Sequence, residues 1–264
     1  MLTVGHSRHR TSVLRRRHSR AHDKIFAQKN KELGLSIRGR FLRNLLFAGF
    51  SFHPSLCMVY VKICGITNLE DALACVKAGA DALGFNFYVP SPRYIEPEAA
   101  RKIIDQLPAD VLTVGVFVNG ETPEIVEQIA TDAGVVALQL HGDESPDYCS
   151  ALSARFVIKV LSVSREFKPE RAIDYKVQAI MLDALDREAR GGTGRVIDWS
   201  VARRTSELVP RLFLAGGLSP ENVADAITAV EPYGVDACSA LEVSPGRKDP
   251  ERVRAFLQAV RVTG

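Results

Sequence analysis

The feature that most limits the fold of this chain is a strand–helix unit repeated along residues 58–264. In its first copy a short apolar strand begins at Tyr60 and stops at Cys64-Gly65. Thr67 and Glu70 follow three residues apart, the spacing of a capping box, which predicts a helix start. The predicted helix has an apolar stripe at i, i+3, i+4 and i+7, formed by Leu69, Ala72, Leu73 and Val76, which is the pattern of a face packed on a core. Gly79 ends it, as glycine often does.

Seven further apolar runs predict strands at 82–87, 112–118, 136–140, 156–163, 179–183, 212–215 and 235–238. The intervening helices begin with a capping residue followed by proline, as helix N-termini prefer: Thr122, Ser145, Ser219 and Asp249. Glu96-Pro97 and Asp198 begin two further predicted helices. The apolar stripe of the helix after Thr122 includes Ile125. The segment around 169–175 has the weakest helical pattern. Eight parallel strands alternating with eight helices favour a closed (β/α)8 TIM barrel, an α/β fold, over an open doubly wound sheet.

Charge divides the chain into a basic leader and an acidic body. Residues 1–57 hold 12 Lys/Arg and 2 Asp/Glu, whereas residues 58–264 hold 22 and 29. We expect the leader to lie outside the fold as a disordered or non-native extension. Its composition fits an organellar transit peptide. It equally fits sequence upstream of a true start at Met58, or a basic arm that binds nucleic acid or an anionic surface. The catalytic domain is predicted at 58–264.

Composition excludes several classes of protein. The five cysteines form no C-x-x-C pair, which indicates reduced thiols in a reducing compartment, so we expect a cytoplasmic protein, or a plastid or other organellar one if the leader is a transit peptide. An acidic body argues against nucleic-acid binding, and no apolar run is long enough to span a membrane. Spacings typical of metal ligands are missing, so no metal and no cofactor is expected.

Side chains at the C-terminal ends of barrel strands carry the chemistry of such folds. Cys64 ends the first strand and is either a small core residue or a reactive thiolate. Asp183 ends the sixth and is either a loop cap or an acid that burial keeps protonated. His141 suits loop support or substrate contact, and Arg93 is either a solvated charge or the partner of a ligand carboxylate.

The loops after the seventh and eighth strands have the pattern of a phosphate site. Gly216 and Gly217 allow close backbone approach, and Ser239-Ala240 begins a segment suited to a short extra helix. The alternative is that the glycines only form a tight turn.

The body resembles the phosphoribosylanthranilate isomerase family, a tryptophan-pathway barrel. The matches run in family order over 58–264: K-I-C-G-I-T (62–67), G-A-D-A-L-G-F (79–85), S-P-R-Y-I (91–95), V-G-V-F-V-N (114–119), L-Q-L-H-G (138–142), L-D (182–183), G-G-T-G with D-W-S (191–200), G-G-L-S-P-E-N-V (216–223) and S-P-G-R-K-D (244–249). One departure is Cys238-Ser-Ala-Leu-Glu242, where the family usually reads S-S-G-V-E.

The resemblance implies an Amadori rearrangement of a phosphosugar substrate, with Cys64 as general base and Asp183 as general acid. It implies that Arg93 binds the anthranilate carboxylate and that Gly216, Gly217, Ser239 and Ala240 bind the phosphate. Other phosphosugar barrels are the same-class alternative, although we expect those to use an acid pair or a lysine. A catalytically silent barrel or basic-arm binding protein is the alternative from another class. We expect a monomer rather than a homodimer, with no nucleic-acid or membrane partner.

Overall fold

The computed structural model describes residues 58–164, 166–183 and 198–263. None of the helices in these ranges is long and apolar enough to cross a bilayer. The predictions for the basic leader and for the G-G-T-G segment at 191–194 fall outside the described residues.

Eight parallel strands close into a barrel in chain order, as predicted. They are β1 (Tyr60–Ile63), β2 (Ala82–Asn86), β3 (Leu112–Phe117), β4 (Ala137–Leu140), β5 (Phe156–Ser162), β6 (Ala179–Asp183), β7 (Leu212–Leu214) and β8 (Gly234–Ala237). The first and last strands complete the ring, with Lys62 opposite Asp236. The (β/α)8 prediction is therefore confirmed.

Each barrel strand is followed by a helical segment. The α-helices are α1 (Leu69–Ala78), α2 (Pro97–Ile104), α3 (Pro123–Ala133), α4 (Pro146–Ala151), α5 (Trp199–Leu208), α6 (Val223–Val230) and α7 (Pro250–Thr263). The segment after β5, weakest in the sequence, is a 3₁₀ helix at Pro169–Asp174. A second short 3₁₀ helix, Ser239–Leu241, precedes the small antiparallel pair β9 (Glu242–Ser244) and β10 (Arg247–Lys248).

Side-chain alternation along the strands separates an outer apolar core from the barrel interior. The outer residues of β1 and β2, such as Val61 and Phe85, join one buried cluster with helix residues such as Phe256. The inner face of β1 instead presents Tyr60 and Lys62, and this alternation extends to Cys64. The fold thus turns every second residue near a strand end towards the shared interior.

Two predicted helix starts are wrong by a few residues. Asn68, not Thr67, caps α1, because its side chain accepts from the backbone N–H of Asp71, while the Thr67 hydroxyl donates to the Gly246 carbonyl at 2.5 Å. Ser219 begins a turn, and α6 starts after Asn222.

Two predicted core positions are also wrong, because the buried stripes are rotated by part of a turn. Leu73 and Ile125 are each 42% exposed. In α1 the buried face holds Asp71, whose carboxylate accepts from the Lys248 backbone N–H at 2.8 Å. In α3 the buried face is filled by Val126 and the small residue Ala130.

Candidate active site

Cys64 lies where β1 ends, on the inner side of the barrel. Its backbone N–H donates to the Ala237 carbonyl at 2.9 Å, which extends the pairing of β1 with β8 by one step. A Cβ atom at Gly84 of β2 would stand 2.8 Å from the Cys64 Sγ and 3.0 Å from the Lys62 Nζ. Glycine at position 84 therefore leaves the space in which the thiol and the ammonium group meet.

The surroundings of Cys64 favour its thiolate form. The neighbouring Cys238 thiol and the positive charges of Lys62 and Lys248 lower the pKa of Cys64, and together they outweigh the desolvation that would raise it. The neighbouring Cys64 and burial raise the pKa of Cys238. The contact thus favours a thiolate at Cys64 beside a thiol at Cys238, and the thiolate is the state that a base requires.

Lys62 and Asp236 form a buried ion pair beneath this thiolate. Their Nζ and Oδ1 atoms are 2.8 Å apart, and the two side chains are 1% and 9% exposed. Burial acts to lower the pKa of Lys62, but the charges of Asp236 and Cys64 outweigh it and raise that pKa. Desolvation raises the pKa of Asp236 to about 6 in spite of Lys62.

Asp183 ends β6 and is held by a chain of two further side chains, His141 and Gln139. Its Oδ2 lies 3.0 Å from the His141 Nε2, and the His141 Nδ1 lies 3.0 Å from the Gln139 Nε2. Asp183 is 6% exposed and Gln139 only 1%. The Gln139 Oε1 is buried without a hydrogen-bond partner among the described residues. Gln139 and His141 share the inner face of β4, so this strand supports the acid of β6.

Asp236 connects the thiol side of the interior to the acid side. Burial and Cys64 raise the pKa of its carboxyl group, whereas Lys62 and His141 lower it, so groups of both sides act on Asp236. Cys64 and the His141–Asp183 pair therefore border one interior, three strands apart around the ring through β8 and β7.

The structure pairs Arg93 with a protein carboxylate. Its Nε donates to both Glu242 oxygens at 3.0 Å, and its Nη2 donates to Oε2 at 2.7 Å. Lys248 holds the other side of Glu242 at 2.8 Å. Burial acts to raise the pKa of Glu242, but Arg93 and Lys248 lower it. Arg93 lies over Gly65, next to the thiolate, and its contact with a substrate carboxylate stays a prediction.

The loops after β7 and β8 have the backbone features expected of an anion site. Gly216 and Gly217 have φ of 83° and 72°, which disfavours any other residue. The predicted short extra helix is present at Ser239–Leu241, and the Ala240 carbonyl accepts from the Arg252 Nε at 2.6 Å. Ala240 is not among the described non-glycine residues with positive φ, so its methyl group is tolerated. Phosphate binding by these four residues stays a prediction.

Sequence reasoning missed five residues around the thiol and the acid: Gln139, Asp236, Cys238, Glu242 and Lys248. Asp236, and Lys62 opposite it, did carry a signal, because a charged residue inside an apolar strand needs a partner. Within the described ranges, no group of three or more His, Cys, Asp or Glu side chains could hold a metal ion.

Fold and site together define a (β/α)8-barrel protein with acid–base groups at the C-terminal ends of its strands. A family model described as N-(5'phosphoribosyl)anthranilate (PRA) isomerase matches residues 61–259. The chain belongs to this family, as its motifs predicted.

Relatives and solved structures agree with this membership. N-(5'-phosphoribosyl)anthranilate isomerase from Trichlorobacter lovleyi is 49% identical over 201 residues, which cover 76% of this chain and 97% of the relative. A crystal structure of the Thermotoga maritima enzyme is 47% identical with a TM-score of 0.73, covering 78% of this chain and all of the other. A phosphoribosyl anthranilate isomerase in complex with reduced 1-(o-carboxyphenylamino)-1-deoxyribulose 5-phosphate is 44% identical, with a TM-score of 0.70 and coverage of 78% and 100%.

Proposed function

We propose that this protein converts N-(5-phosphoribosyl)anthranilate into 1-(2-carboxyphenylamino)-1-deoxyribulose 5-phosphate in tryptophan biosynthesis, with Cys64 as general base and Asp183 as general acid. Asp183 protonates the furanose ring oxygen, the C1–O bond breaks and the nitrogen lone pair forms a C1=N bond. Cys64 then removes the proton from C2, which gives an enolamine that becomes the ketone. The observation that carries the proposal is that a thiol beside the Lys62 ammonium group and a buried carboxyl group border one interior.

His141 serves in this scheme as the partner of Asp183. With the Gln139 Nε2 donating to Nδ1, the His141 proton lies on Nε2 and is donated to an ionised Asp183. A protonated Asp183 needs the opposite tautomer, in which Nδ1–H donates to the Gln139 Oε1. Because no described residue holds that oxygen, rotation of the amide breaks no hydrogen bond made by Oε1. Gln139 therefore suits both protonation states of the acid.

Substrate binding is assigned to the residues around this pair. Arg93 binds the anthranilate carboxylate, for which its Nη1, unused in the bonds to Glu242, offers donors. The backbone N–H groups of Gly216, Gly217, Ser239 and Ala240 bind the phosphate. The protein is expected to act as a monomer in the cytoplasm, although one similar structure is of monomers generated from the dimeric Thermotoga maritima enzyme.

A fluorescence assay of phosphoribosylanthranilate consumption by the purified chain tests the reaction. Cys64→Ser and Asp183→Asn are each expected to lower kcat by about 10²-fold or more, because each removes one proton-transfer group. Cys75→Ala and Asp105→Asn are matched controls, the first buried in α1 and the second exposed after α2. Near-normal turnover in a folded Cys64→Ser or Asp183→Asn variant would contradict that residue's role.

A further inference from the structure

Cys64 and Cys238 occupy the next register pair beyond the closure of the barrel. The paired residues of β1 and β8 run from Tyr60 and Gly234 to Ile63 and Ala237. The bond from the Cys64 N–H to the Ala237 carbonyl continues that ladder, so Cys64 lies opposite Cys238. Neighbouring strands are about 4.8 Å apart, within the Cα separation of about 4.4–6.8 Å that a disulfide spans.

The two sulfur atoms lie on the same side of this pair of strands. Lys62 and Asp236, two residues earlier on each strand, meet at 2.8 Å inside the barrel, and side chains two residues apart share a face. A Cβ atom at Gly65 would stand 2.9 Å from the Cys238 Sγ, which places this sulfur against the backbone next to Cys64. Glycine at 65, with φ of 78°, leaves the room that the Cys238 sulfur occupies.

The pair combines a nucleophile with a partner thiol. The lowered pKa of Cys64 favours its thiolate form, and the raised pKa of Cys238 favours its thiol form. Thiolates, not thiols, react with hydroperoxides, and a nearby thiol converts the resulting sulfenic acid into a disulfide. By contrast, desolvation raises the pKa of Cys75 to about 12 and that of Cys149 to about 11. By the same criterion these two free thiols are unreactive.

We propose that Cys64 and Cys238 form an oxidisable pair, in which a hydroperoxide oxidises Cys64 and Cys238 converts it into a Cys64–Cys238 disulfide. The Cys64 thiolate attacks one peroxide oxygen, the O–O bond breaks, and hydroxide leaves and takes up a proton. The Cys238 sulfur then attacks the sulfenic sulfur, and its proton leaves with the displaced oxygen as a second water. Two thiols and one hydrogen peroxide thus give one disulfide and two water molecules.

The disulfide would remove the base from the proposed reaction. Cys238 therefore protects Cys64, because a disulfide is reversed by dithiothreitol, whereas further oxidation to sulfinic acid is not. This consequence for turnover rests on the proposed function, but disulfide formation itself does not.

Treatment of the purified full chain with hydrogen peroxide, followed by mass spectrometry without reduction, tests the pair. We expect the loss of two hydrogen masses, a crosslinked peptide joining Cys64 to Cys238, and restoration of both thiols by dithiothreitol. Cys238→Ser should instead gain oxygen atoms at Cys64 and lose dithiothreitol reversal. Cys57→Ser and Cys149→Ala are matched controls that should still form the crosslink.

Two results would overturn the proposal. One is wild-type protein that accumulates sulfinic acid at Cys64 without the crosslinked peptide. The other is a Cys238→Ser variant whose oxidation is as reversible as that of the wild type. Because mass is measured without substrate, a protein inactive on phosphoribosylanthranilate can still form the disulfide, so failure of one proposal is distinguishable from failure of the other.

Discussion

Lys62 contributes to the chemistry of the site more than to the stability of the barrel. Removing two charges from water costs several kcal/mol per ion, which their mutual attraction only partly returns. The Lys62–Asp236 pair is therefore weak evidence for stability. The clear effect of Lys62 is on Cys64, two residues later in the chain, because the positive charge of Lys62 lowers the pKa of the Cys64 thiol.

Replacing the ion pair by Lys62→Met with Asp236→Asn should raise the pKa of Cys64. The thiolate is lost as pH falls through that pKa, so a raised value makes Cys64 less reactive near neutrality. At pH values below the Cys64 pKa, each unit of increase lowers the thiolate population about tenfold, and the rate of alkylation by iodoacetamide falls with it. The measurement is the alkylation rate of Cys64 against pH. An unchanged profile would show that Lys62 does not tune the thiol, and Lys102→Met, on exposed α2, is the control.

Gln139 should affect turnover without contacting the reacting atoms. Gln139→Leu removes the amide that orients His141, so we expect kcat to fall about tenfold with KM within about twofold of wild type. Steady-state kinetics with matched unfolding curves measures the effect. Gln128→Leu, on the surface of α3, removes a similar side-chain contact at 2.9 Å from Asp132 and should change neither constant. A rise in KM alone would point to substrate contact instead.

At the scale of single elements, the loop between β4 and α4 is fixed by one buried carboxylate. Glu144 accepts from the backbone N–H groups of Asn119 and Gly142 and from Lys159 Nζ at 2.7 Å. Lys159 also donates to the Gly142 carbonyl at 2.7 Å. This network lies outside the barrel and holds the loop that begins with His141.

Lys159→Met should destabilise the protein by about 3–5 kcal/mol, because it leaves Glu144 buried without its charged partner. Arg101→Met breaks an exposed pair with Asp105 of similar length, 2.9 Å, and should cost within about 1 kcal/mol. Urea unfolding of the two variants gives the comparison. If both variants lost an equally small free energy of unfolding, water or another group would be satisfying the Glu144 carboxylate in place of Lys159.

The elements themselves were largely predictable, because caps, prolines and apolar periodicity are local. Thr122 and Ser145 cap their helices as expected. Thr67 did not, because Asn68 competes for the same role and the Thr67 hydroxyl bonds to a residue 179 positions away. The Arg93–Glu242 pair likewise spans 149 positions. Such contacts between residues distant in sequence form only when the barrel closes, so no local sequence pattern predicts them.

For the whole molecule, the described barrel and candidate site lie entirely within residues 58–263. A chain that begins at Met58 should therefore keep kcat/KM within about twofold of the full chain, since function follows from the site. Parallel assays of the two proteins measure this ratio. Loss of activity in a folded shorter chain would favour the basic-arm reading of residues 1–57.

The barrel is closed by contacts between its first and last elements. Besides the pairing of β1 with β8, Arg261 of α7 donates to the carbonyls of Val59 and Gly79 and to the Asp81 carboxylate. During synthesis β1 therefore leaves the ribosome long before β8 has been translated. The edge of β1 that pairs with β8 stays unpaired until almost all of residues 58–264 have been made. Nascent chains stalled before β8 should consequently depend on chaperones, whereas a circular permutant that joins residue 263 directly to Met58 would bring these partners close together in sequence.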